Sequence, residues 1–339
     1  MQVELLRALF PDGEDRPPRL KDESAQASTL NDLAAVYSLS GQPRRAVPLF
    51  EQVNEIYENK TKNKQHLAIG LGNVAQVQLP IGALRAAESN LRRSIALCRE
   101  IKDEFNEAIE HQELGRLLAY RGADAESETE LATALKMAEN QKHVQMQNVT
   151  WAYRALRELL LLRSAPQSAI GNRPSAIPPA RRALELADED TRTRYPHPRD
   201  YVRAHWLLGA AHRVAGQTDA VERHLHEALE RCRRINSVDA EADILIDLAR
   251  LRAATGAPDE AQRLAEEALL ITERSSYVLQ GADAHLELAK LALARGDKPT
   301  ALTHAQEARR LATCDGPPDY TYKAAYDEAG ALLAQLGHK

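Results

Sequence analysis

The chain has 339 residues, of which 27% are charged, 44% hydrophobic and only 4% aromatic, with a formal net charge of -5. That charge offers no basic field for nucleic acid or an anionic membrane, and so few aromatics favour a repeat array over one large core. No apolar run approaches the roughly 20 residues that span a bilayer, and the start lacks a secretory signal's basic and apolar regions, so the expected location is the cytoplasm.

Residues 1–26 pair a short apolar segment, "VELLRALF", with the Pro-rich linker "PDGEDRPPRLKDES". This stretch reads as the tail of a preceding domain, which would make the chain a fragment of a longer protein. Two amphipathic helices around a Gly turn are then expected, on the skeleton Leu33-Ala34, Tyr37, Gly41, Ala46, Phe50. The skeleton returns at Val74-Ala75 with Gly82 and Leu114-Gly115 with Gly122. After an irregular fourth unit it returns again at Leu208-Gly209 with Gly216, Leu248-Ala249 with Gly256, and Leu288-Ala289 with Gly296.

The period is about 40 residues, which signals a solenoid of units none of which can bury its apolar face alone. Ala34, Ala75, Gly115, Ala155, Gly209, Ala249 and Ala289 keep one place on each first helix small, so that the second helix can approach. Leu131 and Leu225 stand among the large residues that fill between the seams. The expected fold is all-α: an α-α superhelix of seven hairpins over residues 27–321, closed by a capping helix over 322–339.

The fourth unit carries an insertion at about 163–200, with the loops "RSAPQSAIGNRPSAIPP" and "DEDTRTRYPHPRDYV" expected to project from the stack. Arg163, Arg173, Arg181, Arg182, Arg192, Arg194 and Arg199 make it locally basic. Two readings stay open, a contact site for an acidic partner or adjoining domain and a tolerated insertion with solvated arginines.

The stretch "LNDLAAVYSLSGQPRRAVPLFEQV" closely resembles the tetratricopeptide repeat, and the resemblance runs from about Ala27 to the C-terminus. The repeat is longer than the common 34 residues and lacks the usual Pro after the second helix. In both respects it resembles the long-repeat arrays of kinesin light chains and the C-terminal sensor regions of STAND-type NTPases with NACHT or NB-ARC modules. The resemblance implies protein recognition without catalysis, and an N-terminal NTPase module of the same parent chain as a partner.

Site chemistry is sparse. "GLGNVA", Gly70 to Ala75, has dinucleotide-loop spacing but lies inside a first helix, and no phosphate-binding GxxxxGK[ST] occurs. His111, His205 and His285 recur at one repeat position and so are spread along the superhelix; no HExxH or CxxC is present. No catalytic residue, metal or cofactor is expected. The resemblance places first helices on the concave face, with Arg116, Arg250 and Lys290 inward and Arg203, Trp206 and Arg213 beside them, opposed by Asp243 and Asp283. This basic component implies an acidic or carboxylate-bearing protein or peptide segment. A freestanding adaptor or oligomerisation scaffold is the alternative, and an enzyme with a site in the superhelical hollow is a third.

Overall fold

A computed structural model describes residues 2–164 and 175–337. A short helix, α1 (Gln2–Arg7), precedes seven helix pairs. These are α2 (Glu23–Leu39) with α3 (Pro43–Glu55), α4 (Lys64–Gln78) with α5 (Leu84–Ile101), and α6 (Glu104–Arg121) with α7 (Asp124–Asn140). There follow α8 (Val144–Ser164) with α9 (Ile177–Thr193), α10 (Pro198–Val214) with α11 (Thr218–Ile235), α12 (Val238–Ala254) with α13 (Pro258–Ser275), and α14 (Val278–Ala294) with α15 (Lys298–Ala312). A single helix, α16 (Lys323–Gln335), ends the stack. Side-chain caps start several of them: Asp22, Asn63, Asp103 and Asp297 accept from backbone amides of the first turn.

The small seams are where the hairpins close. Ala34, Ala155 and Ala289 are fully buried, as are Ala46, Ala87 and Ala301 on the second helices. At Gly209 a Cβ would sit 2.6 Å from Leu225 Cδ2 and 2.8 Å from its Cγ. Gly209→Ala is therefore expected to destabilise by about 1 kcal/mol, the overpacking cost exceeding the gain in helix propensity. A urea titration checks this; a rise in stability would show that α10 and α11 have slack.

Two segments stand outside the regular repeat. The N-terminal stretch is packed onto the first repeat: Phe10 is buried in its core with Leu30, Leu33 and Phe50, and Glu14 accepts from Tyr37 Oη at 2.7 Å and pairs with Arg45 at 3.0 Å. The second loop of unit four shrinks to residues 194–197, because α9 continues through "DEDTRT" until Pro198 opens α10. The core of the first loop, with Arg173, lies outside the described residues. No described helix is long and apolar enough to cross a membrane.

The stack coils far enough to meet itself. The turn after α4 touches the start of α14, where Val278 N donates to Pro80 O at 2.7 Å, and a Cβ at Gly82 would lie 2.9 Å from Val278 Cγ1. Arg121 donates to Asp319 O at 2.6 Å, and Arg85 N to Asp315 Oδ2 at 2.7 Å. Arg85 and Arg121 also stack on Tyr320, 3.9 and 4.3 Å from its centroid. Unit two thus rests on unit seven, and unit three on the capping helix, one superhelical turn of five units later. The concave face becomes a hollow walled on both sides by the protein itself.

Candidate functional site

The hollow has a polar mouth of about 430 Å³, a waist of about 150 Å³ and a small inner end of about 50 Å³. First helices supply most of its wall, and successive turns of each helix bring their inward residues together there. Gln76, Arg116, Tyr153, Arg199, Arg203 and Asp239 line the mouth. The waist narrows between Tyr120, Leu156, Trp206 and Leu279, with Asp243 and Gln280 among its polar groups; Arg116, Arg199, Arg203 and Asp239 line it as well as the mouth. Arg163, Arg213, Asp247, Arg250, Asp283 and Tyr322 close the inner end.

Five of the six groove residues read from the sequence converge on this hollow: Arg116, Arg203, Trp206, Arg213 and Arg250. Lys290 stands apart, tied to Glu287 at 3.0 Å and Glu328 at 2.7 Å. The basic character expected of the groove is largely cancelled within the chain. Arg116 pairs with Glu113 at 2.7 Å and Arg203 with Asp200 at 3.2 Å. Asp247 gathers Arg213 at 3.2 Å, Arg250 at 3.3 Å and the Trp206 indole N–H at 2.8 Å. Burial would raise the Asp247 carboxyl, but Arg213 and Arg250 hold it below its usual value. Of the mouth arginines only Arg199 is exposed and without an ion-pair partner among the described residues.

Arg163, which the sequence assigned to a basic surface insertion, is an interior residue. Its guanidinium grips Asp283 through two bonds of 2.9 and 2.6 Å, and also reaches Tyr322 Oη at 2.7 Å and Glu328 at 2.8 Å. Asp283 therefore faces Arg163 rather than standing free in the groove, and Asp243 receives only the Gln280 amide, at 3.2 Å. Tyr120, Tyr153, Tyr322 and Gln280 escaped the sequence reading because each sits one to three turns from the aligned inward position. Only the closed coil brings them together.

The recurrent histidines lie away from the hollow's lining. Each meets a residue 19 positions on, across its own hairpin: His111 meets Glu130, His205 meets His224 at 3.0 Å, and His285 meets His304 at 2.8 Å. Among the described residues no group of three His, Cys, Asp or Glu side chains is placed to hold a metal ion.

Tetratricopeptide repeat family models match residues 26–60, 200–274 and 282–307, so the chain carries tetratricopeptide repeats. No curated protein matches it. Among solved structures it is similar to a Rap protein complexed with Competence and Sporulation Factor, at 12% identity and a TM-score of 0.60, over 98% of this chain and 90% of that one. It is also similar to aspartyl phosphate phosphatase F from Bacillus subtilis, at 13% identity and 0.61, over 85% and 70%. A third similar structure is NprR in complex with its cognate peptide NprX, at 13% identity and 0.56, over 91% and 82%. At such identities these likenesses establish the fold.

Proposed function

We propose that this tetratricopeptide array is a non-catalytic recognition module that takes a short peptide or protein segment into the hollow, as the ligand-sensing region of a larger signalling protein of the STAND NTPase kind. The observation that carries the reading is the hollow itself. Its mouth has the volume of an ordinary ligand site, and its apolar waist presents Trp206 and Tyr120 as anchors beside polar groups that fix orientation. The peptide and factor complexes of NprR and Rap, on a similar fold, support it. The resemblance to long-repeat sensor arrays supports the signalling context.

A ligand there touches α6, α8 and α10 on one side and α12 and α14 on the other. Its occupancy therefore bears on how tightly the coil closes, which is how binding would reach a neighbouring effector. The test is retention of a synthetic random heptapeptide pool by the immobilised chain. Trp206→Ala is expected to cut retention about tenfold, as for an interface anchor, with the thermal melt confirming the fold. Equal retention by the variant would remove the hollow as the binding surface. An immunoblot of the native product tests the context: a band well above 37.6 kDa supports an attached effector, and a band at that mass makes the array a freestanding adaptor.

A further inference from the structure

Asp239, Asp243 and Asp247 stand at successive i,i+4 steps on α12 and form one acidic ladder along its inner face. The lowest rung is neutralised by Arg213 and Arg250. The upper two have no ion-pair partner among the described residues: Asp239 accepts the Ser237 hydroxyl at 2.9 Å and Asp243 the Gln280 amide at 3.2 Å. Beside them Gln280, only 8% exposed, leaves its carbonyl oxygen without any hydrogen-bond partner while lining both waist and inner end. An orphaned buried acceptor costs about 1–3 kcal/mol unless a donor reaches it.

Between the aromatic walls of Tyr120 and Trp206 the waist therefore offers a run of acceptors without a cation partner, two carboxyls and one amide oxygen, while Arg116, Arg199 and Arg203 stand where it meets the mouth. We infer that this waist is a subsite for an alkylammonium or guanidinium group, carried by a Lys or Arg side chain or the amino terminus of the peptide proposed above. Such a group supplies the donors that Gln280 and Asp243 lack, and its charge is favoured over an aromatic face. Burial, with Asp283, Asp239 and Asp247 close by, raises the Asp243 carboxyl well above its usual range, though the Gln280 bond opposes this. An entering cation supplies the counter-charge that lets it ionise.

Most of the arginines nearest the waist already have a carboxylate partner. Arg116 and Arg203 are held by Glu113 and Asp200, Arg213 and Arg250 by Asp247, and Arg163 by Asp283. Arg199, exposed where the mouth meets the waist, is left to receive a carboxylate farther along the same ligand. The acidic preference expected from the sequence is thereby confined to the mouth, and the deeper specificity is for a base.

This inference rests on the peptide reading, and two probes separate their failures. The first is a random pentapeptide pool passed over the full chain and read by mass spectrometry; the second is benzylamine alone, followed by thermal shift. Lys- and Arg-bearing peptides are expected to be enriched about tenfold and benzylamine to raise the melting temperature, with both effects lost in D239N/D243N. Peptides retained without basic enrichment, and no shift with benzylamine, overturn the subsite and leave the peptide reading standing. A benzylamine shift confined to the parent chain, with no peptide retained, keeps the subsite and overturns the peptide reading. No retention and no shift overturn both.

Discussion

Replacing Arg163 with Ala is expected to destabilise the protein by about 3–5 kcal/mol and to loosen the closed coil. The side chain is 14% exposed and donates across the hollow from α8 to Asp283 on α14 and Glu328 on α16. Tyr322 Oη completes the group by donating to Asp283 Oδ2 at 3.0 Å. Removing the guanidinium leaves a buried carboxylate, Asp283, facing a phenol and only the more distant Arg250 guanidinium, at 3.6 Å. Breaking one side of such a pair costs far more than the intact pair contributes, because the remaining charge keeps its desolvation penalty.

Two measurements read this prediction. Urea unfolding gives the loss of stability, and small-angle scattering gives the radius of gyration, which should rise as unit four parts from unit seven and the cap. Arg163→Lys should recover only part of both, since a single ammonium cannot reproduce the two-pronged grip on Asp283 together with the bonds to Tyr322 and Glu328. An unchanged radius with lowered stability would assign closure to the Pro80–Val278 and Arg121–Asp319 contacts instead.

The repeat was legible because its cause is local. A small residue at Ala34 or Gly209 and a left-handed turn at Gly82 are each needed within one hairpin, and each recurs at one offset. Closure was not legible, because it joins residues more than a hundred positions apart that carry no common spacing. Arg163 with Asp283 and Gly82 with Val278 are cases. The groove positions came from the repeat resemblance, which gives direction but not partner: Arg250 lines the hollow's inner end, yet nothing in its own helix announces Glu287 on α14, 2.9 Å away. The histidine recurrence was visible in the first helices, while the matching His224 and His304 on the second helices went unpaired until the hairpin geometry supplied the 19-residue step.

Those histidine pairs set the second large effect, a loss of stability on mild acidification. Burial and the facing His205 lower His224 to about 4, and burial and the facing His304 lower His285 to about 4. His205 and His304 are lowered too, chiefly by burial. Arg223, His212 and Arg231 add positive charge around the first pair, opposed by Glu227 and Asp188. Glu307, Arg310 and Glu266 face the second.

Each ring has a folded pKa below its unfolded value of about 6.5, so the unfolded chain binds more protons between pH 6.5 and 4. The stability these groups contribute is complete above pH 6.5 and is lost as pH falls through about 4. Each pKa unit is worth at most about 1.4 kcal/mol, and solvent screening at partly exposed rings reduces it. The expected loss between pH 7.5 and pH 5 is about 2 kcal/mol for His224 and His285 together. Urea titrations at the two pH values measure it, and H224Q/H285Q should flatten the difference, because a neutral amide keeps one hydrogen bond to each partner ring and takes up no proton. A slope that survives the double substitution would move the effect to the carboxylates of the Arg163 network. Since the pairs lie within single hairpins, their protonation should loosen units five and seven from inside, and unit seven is the one on which unit two closes.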